Sequence, residues 1–205
     1  EHPVTEEISG VDLVAEQLRI AAGEPLSFSQ SDLSIRGHAI ECRLYAEDPS
    51  QGYIPSPGTI HTLRFPSGPG VRVDSGIIEG SEVSNFYDPM LAKLVVWGPT
   101  RQIAIARMRR ALRETYVGGI RTNLSFMDDI LQDSRFVAGG YDPGLLNDWN
   151  VEDSVPDELA LIMHTVAAAD AAWKAPAAVN TESSVQPVSR WKSAGRRDSV
   201  RGAGS

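Results

Sequence analysis

Prolines and glycines recur from residue 49 to residue 80, at Pro49, Gly52, Pro55, Pro57, Gly58, Pro66, Gly68, Pro69, Gly70, Gly76 and Gly80. This punctuation leaves room only for short extended runs, of which Thr59–Phe65 and Val71–Asp74 are the best candidates. Short runs separated by frequent turns predict an antiparallel β unit. The residues on either side fit that unit. Over 35–45 the pattern has period two: His38, Ile40, Cys42 and Leu44 share one face, and Gly37, Ala39, Glu41, Arg43 and Tyr45 the other. The first face suits a core, so His38 reads as a buried, hydrogen-bonded histidine and Cys42 as an unreactive thiol. The second places small residues beside two charges and leaves room for a ligand. Met90–Trp97, with Leu91, Leu94, Val95 and Val96, is more continuously apolar and reads as a further strand.

Helical periodicity brackets this region. Val11, Val14, Ala15, Leu18 and Ala22 fall on one face of a helix over 11–22, closed by Gly23-Glu24-Pro25. Thr100 can cap a helix that turns Ile105, Met108, Leu112 and Tyr116 inward and ends at Gly118-Gly119. Thr122 can cap a second, with Leu124, Met127, Ile130 and Leu131 inward, and 144–149 makes a short helix or turn. Residues 31–149 are therefore expected to form one α+β domain. A last helical pattern covers 157–173, with Leu161, Val166, Ala169 and Trp173 in register. Beyond Lys174 the period is lost and Ala, Pro, Ser, Gly and Arg dominate, so a mobile linker is expected there.

Composition removes several function classes. A net charge of −8 speaks against a general nucleic-acid surface. No apolar run approaches the ~20 residues of a membrane helix, and the start lacks secretory features. One cysteine cannot form an internal disulfide, which suits a reducing compartment. The expectation is a soluble, cytoplasmic protein with neither nucleic-acid nor membrane partner. No phosphate-binding G-x-x-x-x-G-K-[ST] is present, and Ser67-Gly68-Pro69-Gly70 has no helical pattern behind it. His2, His38, His61 and His164 lack metal-site spacing.

In order along the chain come Glu1-His2-Pro3-Val4-Thr5-Glu6, the helix, Gly37-His38-Ala39, Ile40-Glu41-Cys42-Arg43-Leu44-Tyr45-Ala46-Glu47-Asp48-Pro49, Asn85-Phe86-Tyr87-Asp88-Pro89-Met90, and Gly118-Gly119-Ile120-Arg121-Thr122-Asn123. From Glu1 to about Asn150 this series resembles the biotin carboxylase component of biotin-dependent carboxylases. The resemblance implies an architecture: residues 1–30 as the end of an ATP-grasp region and 31–149 as the biotin carboxylase C-terminal domain, an antiparallel sheet plus helices. Residues 150–205 would be a helix and linker toward a transferase-docking or biotin-carrier region. It also implies a piece of a longer protein whose ATP and Mg2+ sites lie upstream of Glu1, so that this part alone is expected to be inactive.

The implied reaction uses ATP and bicarbonate to carboxylate biotin on a carrier domain, as the first half-reaction of a bacterial acetyl-, propionyl- or other acyl-CoA carboxylase. A pyruvate or urea carboxylase is the alternative, as is a module for dimerisation and carboxyltransferase docking. The implied partners are the biotin carrier domain, a carboxyltransferase subunit, bicarbonate and a second copy of the chain. The chemistry needs a base for bicarbonate and positive charge for the oxyanions and biotin enolate that develop. By resemblance, Glu1 is the base and Arg43 the residue that contacts bicarbonate and biotin, a task suited to a planar, permanently charged guanidinium. From spacing alone, an ion pair with Glu41 is the favoured reading of Arg43. Asp88 matches an aspartate on the biotin-binding side, or serves the turn that Asp-Pro favours. Arg72 matches a homodimer contact, or is a solvated strand arginine.

Overall fold

The computed structural model describes residues 2–146 and Trp149, which belong to the unit Glu1–Asp153; a second unit, Ser154–Ser205, lies outside the described residues. Two helices come first, α1 (Pro3–Ser9) and α2 (Leu13–Ala21), followed by β1 (His38–Tyr45) and the short strands β2 (Glu47–Asp48), β3 (Ile54–Pro55), β4 (Gly58–Thr59) and β5 (Thr62–Arg64). Then come β6 (Val71–Ser75), β7 (Glu82–Val83), β8 (Met90–Gly98), α3 (Arg101–Glu114), β9 (Tyr116–Gly118), α4 (Leu124–Ile130) and α5 (Ser134–Ala138). This is the antiparallel α+β arrangement that the turn-rich stretch predicts. The expected helix over 157–173 and the linker after it fall outside the described residues.

The main sheet has the order β1–β8–β6 and is antiparallel throughout, with Leu94 opposite Cys42 on one side and Val73 on the other. Along β8, Leu91, Ala92, Leu94, Val95 and Val96 are all buried. A strand covered on both faces loses the usual alternation. Leu94 and Val96 join Ile40, Cys42 and Leu44 in the core beneath α3. Val95 points the other way; α1 packs on β1 and β8, and its Pro3 is fully buried. Thr100 caps α3 as expected, accepting a hydrogen bond from Ile103 N. The spacing of Ala104, Ile105, Met108, Ala111 and Leu112 lays one stripe of that helix on the sheet. Among the described residues no helix is long and apolar enough to cross a membrane.

Several expectations are corrected by long-range pairing. The helix expected over 11–22 is found as α2, with Asp12 capping it by accepting from Ala15 N at 2.9 Å, while α1 is a separate helix ahead of it that the periodicity does not mark. The expected inward face of α2 is largely exposed, at Val14, Ala15, Leu18 and Ala22. The side chain that α2 buries is Glu16, which takes hydrogen bonds from the backbone and hydroxyl of Ser27. His38 is exposed, because it is the first residue of β1 and the covered face begins at Ile40. The run Thr59–Phe65 splits at buried Ile60: β4 pairs with β7, and β5 pairs with β9. That second pairing ends α3 at Glu114 and leaves Tyr116 half exposed instead of inward. Thr122 is not the cap of α4; Asn123 holds the N-cap position.

Gly119 (φ +110) makes the tight passage from β9 toward α4, and a Cβ there would run into the Thr59 carbonyl oxygen. Gly10 (φ +75) has the same conformational need but open space around it. Gly119→Ala should therefore cost about 3 kcal/mol or more, strain plus overlap, against about 1 kcal/mol for Gly10→Ala. Urea midpoints of the two variants check this; equal losses would mean that the Thr59 contact is unimportant.

Candidate functional site

The outward face of β1 carries the candidate site residues. Period two places Glu41, Arg43 and Tyr45 opposite the Ile40–Cys42–Leu44 core. Arg43 Nε donates to Glu41 Oε1 at 2.8 Å, so the ion pair that the spacing allows is formed. Its side chain nevertheless stays 48% exposed while Glu41 is nearly covered at 13%. The pKa of Arg43 is raised, first by the hydrogen bond to Glu41 and then by one to Tyr45. The result is a permanently charged fork, gripped on one edge and open to solvent. Arg43 faces Lys93 across the β1–β8 ladder, and Lys93 faces Asp74 on β6, which makes a charged row across the sheet. Sequence reasoning passed over Lys93; a lone lysine inside the apolar 90–97 run was the available signal.

Asp88 lies at the same end of the ladder. Its Oδ1 accepts from Met90 N at 2.8 Å, the local turn that Asp-Pro suggests, and Met90 pairs with Tyr45. The adjoining bond from Ala46 N to the Pro89 carbonyl carries β1 into Glu47. The carboxyl of Glu47 has its pKa raised, first by burial and then by the charge of Asp88. Tyr53 is raised too, by burial and by Glu47. Phe86 and Tyr87, just before Asp88, are 90% and 84% exposed. Arg43 and Asp88 are thus brought to one end of the sheet, together with Glu47, which the sequence did not mark. Glu1 lies outside the described residues.

Arg72 sits elsewhere, on edge strand β6, and is anything but a solvated bystander. Its guanidinium meets Asp74 Oδ2 at 2.8 Å, Glu6 Oε2 at 2.8 Å and Glu7 Oε1 at 3.7 Å. Its pKa is raised, first by Asp74 and then by Glu6. Glu6 Oε1 also accepts from Leu13 N, so the same carboxylate links α1 to the start of α2. Cys42 is enclosed in the core; burial, then the charges of Glu41 and Asp128, push its thiol up to about 12. That leaves negligible thiolate at neutral pH. Among the described residues, no three His, Cys, Asp or Glu side chains gather as a metal-binding group.

Comparison with known proteins adds a family to this geometry. The family model for the biotin carboxylase C-terminal domain matches residues 41–148, and that for the ATP-binding domain of the carbamoyl-phosphate synthase L chain matches residues 1–29. Biotin carboxylase of Haemophilus influenzae is 54% identical over 140 residues, covering 68% of this chain and 31% of that protein. A pyruvate carboxylase subunit of Methanothermobacter thermautotrophicus is 52% identical over 139 residues, covering 68% of this chain and 28% of that one. Among solved structures, the biotin carboxylase domain dimer of Hydrogenobacter thermophilus 2-oxoglutarate carboxylase, in complex with MgADP, ADP and bicarbonate, superposes with a TM-score of 0.71 at 42% identity. It is matched over 74% of this chain and 35% of its own. The chain spans about a third of the length of the curated relatives it matches.

The three-carboxylate grip on Arg72 should be what fastens α1 to the sheet edge. Arg72→Leu is expected to speed amide exchange over Pro3–Ser9 and leave β8 protected, and 1 M salt should act in the same direction. Unchanged protection of α1 would assign its anchoring to Pro3 instead.

Proposed function

The chain belongs to the biotin carboxylase family through its C-terminal domain, and from that premise we propose that it supplies part of the site at which biotin is carboxylated with ATP and bicarbonate. The observation that carries this reading is Arg43: charged at any working pH, oriented by Glu41, yet half exposed on the outward face of β1. A guanidinium so placed can hold the oxyanion of bicarbonate. It can also stabilise the enolate that forms when the biotin ureido nitrogen loses its proton. Stabilising developing charge with a preorganised donor is commonly the largest catalytic contribution. Glu1 is assigned as the base that deprotonates bicarbonate. Asp88, at the same end of the β1–β8 ladder, is assigned to the biotin side. Arg72, which shapes the surface between α1 and β6, is assigned to a homodimer contact.

We assign residues 1–30 to the end of the ATP-grasp domain, 31–149 to the C-terminal domain, and 150–205 to a helix and linker toward a docking or carrier region. ATP and Mg2+ are assigned to residues upstream of Glu1, so the 205-residue chain by itself is expected to be inactive. The biotin carrier domain brings the substrate, and a carboxyltransferase subunit uses the product in a cytoplasmic complex. The helical period over 157–173, just after the carboxylase domain, supports an acyl-CoA carboxylase over a pyruvate or urea carboxylase. Assays of the full-length parent with acetyl-CoA, propionyl-CoA, pyruvate and urea decide the acceptor; turnover of pyruvate or urea alone would replace the acyl-CoA assignment.

In the full-length enzyme, Arg43→Ala should lower biotin carboxylation by about 10²–10³-fold, with the KM for ATP and the unfolding midpoint little changed. A rate within about twofold of the parent would leave the Glu41 ion pair as the whole role of Arg43. The purified 205-residue chain should release no ADP from ATP with bicarbonate and biotin present; measurable release would overturn the assignment of the nucleotide site to the upstream part.

A further inference from the structure

The outer edge of β1, beside Arg43, is held by one side chain. Asn123 Oδ1 accepts from Tyr45 N at 2.9 Å, and Asn123 Nδ2 donates to the Arg43 carbonyl at 3.1 Å. The backbone N of Asn123 donates to the Tyr45 carbonyl at 3.3 Å. A carbonyl at one residue and an amide two residues on are the groups that an edge strand presents to a neighbour, so the carboxamide stands in for a missing strand. Asn123 is buried, 8% exposed, which excludes competing water. It occupies the N-cap of α4 yet makes no side-chain cap bond there. An asparagine at that position ordinarily caps its own helix; this one instead reaches a strand 80 residues away in sequence.

The inner edge of β1 explains why such a clamp matters. The β1–β8 register shifts between Leu44 and Tyr45, where Leu44 faces Ala92 and Tyr45 faces Met90. Pairing with β8 is therefore interrupted one residue after Arg43, at the place where Asn123 grips the opposite edge. Neighbouring bonds brace the clamp: Arg121 N donates to Ser56 Oγ at 2.9 Å, and Arg121 Nε pairs with buried Asp48 Oδ2 at 3.2 Å. We propose that Asn123 is the positioning residue for Arg43, fixing the backbone on both sides of Leu44 so that the guanidinium holds its aim. The proposal rests on the reading of Arg43 given above. It calls for a carboxamide specifically, since only that group of this size offers one acceptor and one donor side by side. A carboxylate would keep the acceptor for Tyr45 N but set an oxygen against the Arg43 carbonyl.

The test is a double-mutant cycle in the full-length parent enzyme with Asn123→Ala, Arg43→Ala and the pair together. Asn123→Ala should lower kcat for biotin carboxylation about tenfold or more, the scale of a misplaced catalytic group, with the KM for ATP unchanged. In the Arg43→Ala background it should add less than about twofold. Losses that multiply would overturn the proposal, as would an Asn123→Ala enzyme within twofold of the parent. If Arg43→Ala itself costs nothing, the reading of the site falls and the proposal with it; a large Arg43 effect with independent Asn123 losses removes the proposal alone. Should Asn123→Ala fail to fold, Asn123→Asp carries the same cycle, with a selective loss of carboxylation expected and full activity overturning the role of the Arg43 bond.

Discussion

The rest of the structure hangs on β8 being paired along both edges while it is covered on both faces. Each of Leu94, Val95 and Val96 is fully buried, and a side chain of that kind contributes about 1.5–3 kcal/mol on leaving water. That burial sets the register of both neighbours. A slip of one residue on β1 would move Ile40, Cys42 and Leu44 outward and drive Glu41 and Arg43 beneath α3, which no ion pair could offset. The charged row of Arg43, Lys93 and Asp74 is therefore a by-product of hydrophobic packing on the opposite face. The sheet aims the outward face of β1, and its core makes that aim hard to change.

The two N-terminal helices show how differently neighbouring elements can be attached to such a frame. α1 has a buried proline and two glutamates on Arg72, which is itself held by Asp74. α2 is secured chiefly through Glu16 and Ser27 and shows Val14, Leu18 and Ile20 to solvent. Arginine suits the first role because one planar group can serve carboxylates from a helix and a strand at once. Since the guanidinium is partly exposed, each contact is screened, and it is the convergence on one residue that fixes the geometry.

What could be read from the chain was local. The Thr100 cap, the buried stripe of α3, the outward face of β1 and the β8 run depend on spacing within a few turns or strands, and all are found in place. His38, Tyr116 and Thr122 were misjudged because partners distant in sequence decide them: the end of the ladder, the β5–β9 pairing, and the diversion of Asn123 to β1. Of the candidate site, Arg43 and Asp88 are marked by resemblance alone, and what the structure realises is the ion-pair reading of the first and the turn reading of the second. Asn123 was not legible, since an asparagine before a helical run reads as a cap whatever it grips. Lys93 was hidden by the apolar residues that surround it.

The enclosure of Cys42 has a practical side. It is the single cysteine in these 205 residues, it packs in the core, and burial pushes its thiol up to about 12. Maleimide dyes and spin labels, which react with exposed thiolates, would leave the folded chain unmarked. A cysteine placed at an exposed position such as Tyr87 would then be the one addressable handle, with no need to remove the native residue first. The surface beside Asp88 could be watched in this way while the core of the domain stays chemically silent.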